Sequence, residues 1–394
     1  MYKKVFPATA LLVFLLVNTM AQSPLSGSGE RPKEFSKLIE RGNFIPSATL
    51  TKEVANFQSF KKGWLVNFNL NVFIGSYYDQ IRAGVNPPPP SIFNLKYVNV
   101  DAWADSAIAH GINYIVVTFE NEYGFKLWNS RTPYNMKRIN LPIKPGGFMT
   151  PFYNDYDVQN NFDTGLVKRV VTTFRSRGIE VIPYINSVSD YNVLGGGLPN
   201  TNIPESRIME FINYKSRLLQ EQILTFNFHY VWIDYAASVP AGLAQAFYNA
   251  VKSVDSTCQV IGNVLGTSEY GRWPFDIAST EEHSLYASNT FYQSDTYVHN
   301  GTTYYAGQEL VATPYGEMSQ WYYYDQKVSY LPGENPFTNK PPWYSMLETD
   351  KIKFQGIVTS SRKFSRPFLA AVFIDRNGVL VPETLNYLRQ INFK

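Results

Sequence analysis

The chain has 394 residues, of which 44% are hydrophobic, 16% aromatic and 17% charged. This length is long for one small domain and suits a single barrel with insertions. The formal net charge is only +3, which argues against nucleic acid as a partner. The single cysteine, Cys258, excludes an internal disulfide framework. Because the four histidines are scattered, we expect no catalytic metal and no cofactor, while calcium binding stays open.

Residues 1–21 have the pattern of a signal peptide. Lys3 and Lys4 precede an apolar run at 8–17 that is short for a membrane span. Small residues stand at the −3 and −1 positions before Gln22, as a cleavage site requires. We therefore predict export to the periplasm or the exterior with no membrane span after cleavage, an N-terminal anchor being the alternative.

Residues 22–50 mix Ser, Gly, Pro and charges, and we predict a linker that leads into one main domain at 51–394. From residue 51 onward, short apolar runs alternate with segments of helical period, which is typical of parallel α/β proteins. The predicted strands are 65–74, 114–119, 180–185, 230–234, 259–263, 276–280, 309–313 and 368–374. The predicted helices are 100–110, 163–177, 205–226, 240–254, 350–363 and 382–392. This order favours a (β/α)8 barrel of the TIM type, with a doubly wound sheet as the alternative.

Two long segments, 121–162 and 284–345, are rich in Tyr, Asn, Pro and Gly. Long segments of this kind in a compact domain are usually functional loops. Their aromatic side chains, among them Trp128 and Trp321, indicate ordered loops and would suit stacking on sugars as well as ordinary packing. We predict that both segments lie at the mouth of the barrel.

Carboxylates stand at two predicted strand ends. Asp234 ends the aromatic and β-branched run 228–234, and a second group extends from Asp276 through Glu281 and Glu282 to His283. The carboxyl ends of barrel strands form the mouth where catalytic groups lie. Two carboxylates facing each other there can hydrolyse a glycosidic bond, one attacking the anomeric carbon and the other transferring a proton. The alternatives are that Asp234 caps the next helix and that the second group is a solvated strand end.

Several short motifs occur in the order found in the catalytic domain of glycoside hydrolase family 29, the α-L-fucosidases. A Leu-Trp-Asn-Ser segment ends the first motif, Trp-Ile-Asp resembles the family's Trp-Phe-Asp, and Asp-Ile-Ala-Ser-Thr-Glu resembles its Asp-x-x-Thr-x-Glu. The matching segments are 111–130, 167–184, 232–234, 276–281, 317–322 and 368–378. Each motif is weak alone, but their common order makes the resemblance specific for the fold.

The resemblance implies a retaining exo-glycosidase that acts on α-L-fucosides or a related glycoside in oligosaccharides or glycoconjugates. Asp234 is then the nucleophile, and Glu281 is the acid/base. The side chains expected to contact the sugar are Asn121, Glu122, Trp128, Tyr184, Trp232, His283 and Trp321. The alternative is a carbohydrate-binding pseudoenzyme on the same barrel.

This chain also departs from the family pattern. The His-His-Asp segment becomes Asn121-Glu122-Tyr123, and Phe73 stands where a first-strand histidine is expected. Since the family uses these histidines to hold fucose hydroxyls, we predict weak activity on simple α-L-fucosides. Because the sequence ends at Lys394, we expect none of the C-terminal β-sandwich domain that many members carry.

Overall fold

The computed structural model describes residues 43–69, 71–74, 93, 95–120, 126–128, 165–187, 205–234, 242–263, 273–281, 295–312, 355–356, 358–359 and 365–390. Its helices within these ranges are α1 Lys52–Ser59, α2 Asn71–Ile74, α3 Val100–Ala109, α4 Leu166–Ser176, α5 Glu205–Phe226, α6 Leu243–Val254 and α7 Pro382–Gln390. Its strands are β1 Lys62–Asn67, β2 Tyr114–Val117, β3 Glu180–Asn186, β4 Tyr230–Asp234, β5 Gln259–Asn263, β6 Ile277–Glu281, β7 Thr296–His299, β8 Thr302–Tyr305, β9 Gly307–Ala312 and β10 Phe368–Phe373.

Eight of the described strands are parallel and close into one barrel, in the order β1-β2-β3-β4-β5-β6-β9-β10. The first and last strands meet at the seam, where Lys62 is opposite Phe368 and Asn67 is opposite Phe373. Strands β7 and β8 form a separate antiparallel hairpin. The closed sheet confirms the predicted (β/α)8 class and excludes the doubly wound alternative, whose sheet is open.

The barrel interior is filled by alternate residues of the strands, as the two-residue period of a strand requires. Tyr114, Ile182 and Trp232 belong to one buried cluster inside the barrel. Their strand neighbours Val181 and Val231 belong instead to the clusters between barrel and helices. Each fully buried Ile or Val side chain contributes about 1.5–3 kcal/mol, so the two layers together hold the strands in register.

Helix α1 closes the N-terminal end of the barrel. The ring of Phe57 lies 5.4 Å, between centroids, from both Tyr114 and Tyr230, which are the first residues of β2 and β4. The segment before α1 also contacts helix α6, because the Phe44 amide donates to Asn249 Oδ1 over 3.1 Å. The carboxyl ends of the strands therefore lie at the end opposite α1.

Five of the described helices, α3 to α7, follow predicted spans closely, and two of them end where a glycine predicts the end. Helix α1 was not predicted. Gly111 follows α3 with φ of 68°, and Gly178 follows α4 with φ of 74°. Glycine adopts this left-handed conformation without the steric cost that a Cβ atom brings, and so it terminates helices. The predicted helix at 350–363 lies largely outside the described residues.

The predicted first strand at 65–74 is wrong in its second half. Strand β1 ends at Asn67, and α2 occupies the last four residues of the predicted span. The apolar character of α2 is explained by core packing, because Val72 and Phe73 join Phe68 and Phe93 in the core. An apolar run by itself does not distinguish a strand from a short buried helix.

The segment 284–345, predicted as a long loop apart from the strand at 309–313, also contains the β7-β8 hairpin. Tyr297 and Tyr304 face each other in the hairpin register and pack on Phe275 and Ala278. The turn at Asn300-Gly301 has positive φ at both residues, which is the backbone of a tight hairpin. Because this segment is rich in Tyr, Thr and Gly, its composition predicted a loop. The structure instead shows a strand pair.

Candidate active site

Asp234 is the last residue of β4, at the carboxyl end of the barrel. Tyr230 and Trp232 precede it at two-residue intervals and lie inside the barrel, so Asp234 continues the inward face of the strand. The four residues before it are buried, whereas Asp234 is only partly buried. Helix α6 begins at Leu243 and has Gly242 as its N-cap residue, so Asp234 does not cap that helix.

The carboxylate of Asp234 accepts one hydrogen bond from each neighbouring strand. The hydroxyl of Tyr184 in β3 donates to Oδ2 over 2.6 Å, and Nδ2 of Asn263 in β5 donates to Oδ1 over 2.9 Å. The backbone is held as well, since the Ser187 amide donates to the Asp234 carbonyl over 3.0 Å. The carboxylate therefore has a defined orientation, which a group that must attack one carbon atom needs.

Tyr184 and Trp232 form a stacked pair in the barrel interior, one layer below Asp234. Their ring centroids lie 5.3 Å apart with an angle of 20° between the planes. Both side chains are buried, with 5% and 2% of their surface exposed. Both were predicted to contact the sugar, and in the structure the Tyr184 hydroxyl is directed to Asp234 while the Trp232 indole N–H is directed to Glu309.

Glu309 was not predicted as a site residue, although it is a carboxylate fully buried in the centre of the barrel. Oε1 accepts from the Tyr114 hydroxyl over 2.6 Å, and Oε2 accepts from Trp232 Nε1 over 2.9 Å and from Ser279 Oγ over 2.5 Å. Burial raises the pKa of Glu309, and the three hydrogen bonds oppose that shift. The available sequence signal is a charged residue directly before the apolar run 310–312, where burial is costly without partners.

Asp276 and Glu281 are separated by the length of β6, in agreement with the predicted strand at 276–280. Asp276 precedes β6 at the N-terminal end of the barrel. Its carboxylate accepts from the Tyr248 hydroxyl over 2.7 Å and pairs with Lys252 over 2.9 Å, so it is a structural group. Glu281 is the last residue of β6, and its backbone is opposite Val311 of β9.

A buried ion pair stands beside the predicted sugar-binding segment 121–122. Glu120 follows β2 and bonds to Lys215 of α5, and both side chains are buried, with 0% and 1% exposed. Lys126 is also buried and lies over the ring of Tyr214, 5.4 Å from the centroid. Three charged side chains therefore share the space between the end of β2 and α5, a region that sequence reasoning did not identify.

Trp128 is the other predicted sugar contact that the structure describes. It packs into the core between barrel and helices, with 2% of its surface exposed, and its indole N–H makes no hydrogen bond with the described residues. Phe73 packs against Phe68 and Phe93 with centroid distances of 6.0 and 5.1 Å. Four predicted contacts lie outside the described residues, namely Asn121, Glu122, His283 and Trp321.

The described part of the chain contains no group of three His, Cys, Asp or Glu side chains that could hold a metal ion. Within the same ranges, every helix is either too short or too polar to cross a bilayer. Cys258 is buried, and burial raises the pKa of its thiol, which keeps the sulfur in its unreactive protonated form.

Comparison with solved structures finds this barrel in bacterial α-L-fucosidases. The GH29 α-L-fucosidase from Bacteroides thetaiotaomicron matches with a TM-score of 0.61 and 14% identity, over 89% of this chain and 74% of that one. Isoenzyme 1 from Paenibacillus thiaminolyticus matches with a TM-score of 0.57 and 15% identity, over 86% and 74%. AlfC from Lactobacillus casei matches with a TM-score of 0.55 and 12% identity, over 86% and 96%.

No family model and no curated protein matches the chain by sequence. At identities of 12–15% the structural similarity establishes the fold. It confirms the predicted resemblance to the α-L-fucosidase catalytic domain at the level of architecture.

Proposed function

We propose that the chain is a retaining exo-glycosidase that hydrolyses α-L-fucosides or a related glycoside within oligosaccharides. The observation that carries this proposal is the Asp234 carboxylate, held at the mouth by Tyr184 and Asn263 in a barrel shared with solved α-L-fucosidases. A partly exposed carboxylate with two directed donors is suited to nucleophilic attack, because its orientation is set before substrate binds.

In the proposed first step, an oxygen of Asp234 forms a bond to the anomeric carbon while the bond to the leaving oxygen breaks. Glu281 gives its proton to that oxygen as it leaves. In the second step Glu281 takes a proton from water, and the water oxygen displaces Asp234 with net retention at the anomeric carbon. This chemistry requires the two carboxyl groups to lie roughly 5–5.5 Å apart.

The position of Glu281 in β6 supports its proposed role. It ends a strand of the same barrel as Asp234, with β5 alone between β4 and β6. Adjacent strands are about 4.8 Å apart, so side chains two strands apart can converge over the mouth to the required separation.

The substrate is proposed to be a glycoside other than the simplest α-L-fucoside. A site built to hydrogen-bond hydroxyl groups rejects sugars that leave its polar groups unpaired. Asn121 and Glu122 replace two family histidines, and Phe73 replaces a third with a ring buried against Phe68 and Phe93. A different pattern of donors and acceptors favours a different arrangement of hydroxyls or a larger oligosaccharide.

The pseudoenzyme alternative has less support. A barrel that only binds sugar has no need for a carboxylate clamped by donors from both neighbouring strands, because binding does not require an oriented nucleophile. We also propose that residues 1–21 direct export and are removed before Gln22. Mass spectrometry of the mature protein tests this, since an N-terminus far from Gln22 would contradict it.

The test of the proposed function is turnover of a panel of aryl glycosides and fucosylated oligosaccharides. Wild type is compared with Asp234→Asn and with Asp105→Asn, a matched change of an exposed aspartate on α3. We expect hydrolysis with retention by wild type and Asp105→Asn, seen by NMR of the first-formed anomer. Asp234→Asn should lose several orders of magnitude in kcat. Inversion, or near-wild-type turnover by Asp234→Asn, would overturn the proposal.

A further inference from the structure

We propose that Glu309 is a positioning residue for the nucleophile, acting on Asp234 through Trp232 and Tyr184. The inference rests on the proposed role of Asp234 and adds a residue that has no expected contact with substrate. Three contacts in series carry it: the Glu309–Trp232 hydrogen bond, the Trp232–Tyr184 stack, and the Tyr184–Asp234 hydrogen bond.

The first contact orients the indole of Trp232. An ionised carboxylate only accepts hydrogen bonds, and three donors from three different strands converge on Glu309. Oε2 is shared between the Trp232 indole and the Ser279 hydroxyl, so the position of the carboxylate is over-determined. Because an indole has one donor only, its bond to Glu309 selects one orientation of the ring.

The second contact passes this orientation to Tyr184. The two rings are nearly parallel and both are buried, so neither can rotate without displacing the other. Close packing in a protein interior leaves no free volume for an intermediate arrangement. A change in the plane of Trp232 therefore changes the direction in which the Tyr184 hydroxyl points.

The third contact delivers the effect to the reacting group. The Tyr184 hydroxyl has one proton, and it is donated to Oδ2 of Asp234 over 2.6 Å. A nucleophile displaced by about 1 Å can lose about a hundredfold in rate, because the reacting atoms no longer meet in line. The hydrogen bond also favours the ionised carboxylate, so weakening it moves the acidic limb of activity to higher pH.

The experiment compares Glu309→Gln with Asp276→Asn. Glutamine keeps the volume of Glu309, but only one of its two terminal atoms accepts hydrogen bonds, so the three donors on Oε1 and Oε2 can no longer all be satisfied. Asp276 is the matched control, since it is also a buried carboxylate that accepts from a tyrosine hydroxyl. It lies before β6, at the N-terminal end of the barrel and far from Asp234. On a substrate hydrolysed by wild type, Glu309→Gln should lower kcat about 10- to 100-fold and change KM less than about 3-fold. Its acidic limb should move to higher pH, while Asp276→Asn should lose thermal stability without that movement.

A double variant tests the route of the effect. If Glu309 acts through Tyr184, then Glu309→Gln combined with Tyr184→Phe should have about the same kcat as Tyr184→Phe alone. Independent roles would instead multiply the two losses. Multiplied losses, or a Glu309→Gln variant with an unmoved acidic limb, would overturn the inference.

NMR separates this inference from the proposed function, because it needs no turnover. The Trp232 indole N–H and the Tyr184 Cζ signals are assigned from Trp232→Phe and Tyr184→Phe. Glu309→Gln should move both signals, and Asp276→Asn should move neither. If wild type hydrolyses no glycoside, the proposed function fails while these signals still report the coupling. A Tyr184 signal unmoved by Glu309→Gln would overturn the positioning role even in an active enzyme.

Discussion

Asn263 stands directly opposite Asp234 in the register of β4 and β5, and its amide donates to Oδ1 of that carboxylate over 2.9 Å. The residue at this position thus sets the charge next to the proposed nucleophile. A neutral donor here stabilises the ionised carboxylate, whereas an acidic residue would compete with it for the same proton.

Replacing Asn263 by aspartate should therefore move the acidic limb of kcat/KM to higher pH. Two carboxylates at hydrogen-bond distance do not ionise together easily, so one of the two pKa values rises, by about one unit or more. The measurement is a pH profile of kcat/KM with Asn263→Ala as the control, which removes the donor without adding charge. Identical profiles for the two variants would show that charge at this position does not reach the nucleophile.

Glu281→Ala should distinguish substrates by their leaving groups. Substrates with poor leaving groups need protonation and should lose about 10²–10⁴-fold, whereas activated aryl glycosides should lose far less in their first step. Azide should restore part of the rate with activated substrates, because it attacks the glycosyl-enzyme without a general base. Glu282→Ala is the control, and a larger loss there than in Glu281→Ala would transfer the role to Glu282.

Replacing only one partner of the Glu120–Lys215 ion pair should lower the free energy of unfolding strongly. Lys215→Met leaves a fully buried carboxylate without its cation, which costs about 3–5 kcal/mol of unfolding free energy. Adding Glu120→Leu should recover part of that loss, because both charges are then gone. The control is Arg177→Met, which breaks ion pairs to exposed aspartates and should cost far less, because solvent screens these pairs. Chemical denaturation measures all four free energies, and equal costs for Lys215→Met and Arg177→Met would contradict the argument.

The stability of the N-terminal end of the barrel should depend on pH through His229 and Glu180. Their hydrogen bond raises the pKa of His229. Burial alone would raise the pKa of Glu180, but the bond with His229 and the charge of Arg175 outweigh it, so that pKa is lowered. The contribution of His229 to the free energy of unfolding is complete below its unfolded pKa of about 6.5, and it is lost as pH rises through its folded pKa. The glutamate contribution is complete above its unfolded value and is lost as pH falls through its folded pKa.

The free energy of unfolding of wild type should thus exceed that of His229→Gln most clearly near pH 5.5. The difference should stay at or below about 1 kcal/mol, because half of the His229 side chain is exposed and solvent screens the pair. Urea denaturation at pH 5.5 and pH 8 measures it, with Glu180→Gln/His229→Gln as the partner variant. A difference that grows toward pH 8 would contradict the assignment.

The barrel and the position of Asp234 at a strand end could be predicted because their signals are local. The run before Asp234 is apolar and ends abruptly in a carboxylate, and the helical period of 205–226 has the bounds that α5 has in the structure. Glu309 could not be predicted in this way. Its donors stand on three other strands, and Tyr114 is 195 residues distant along the chain. Only the closed barrel brings such residues within hydrogen-bond distance.

Asp276 and Glu281 are only five residues apart in sequence, yet a strand rises about 3.3 Å per residue and carries the two to opposite ends of the barrel. The same separation in sequence corresponds to a larger distance in an extended strand than in a helix. The type of element therefore decides how far apart two residues lie.

Helix α1 and strand β1 lie early in the chain but find their partners late. Phe57 packs on Tyr230, and β1 completes its pairing only with β10, whose residues begin at Phe368. During synthesis α1 and β1 can contact β2 early, but their contacts with Tyr230 and with β10 cannot form until those later residues have been made. Contacts between residues distant in sequence slow folding. Segments whose partners are made late stay exposed for longer to chaperones and to self-association. The last contacts to form in this barrel during synthesis therefore involve its first elements, α1 and β1.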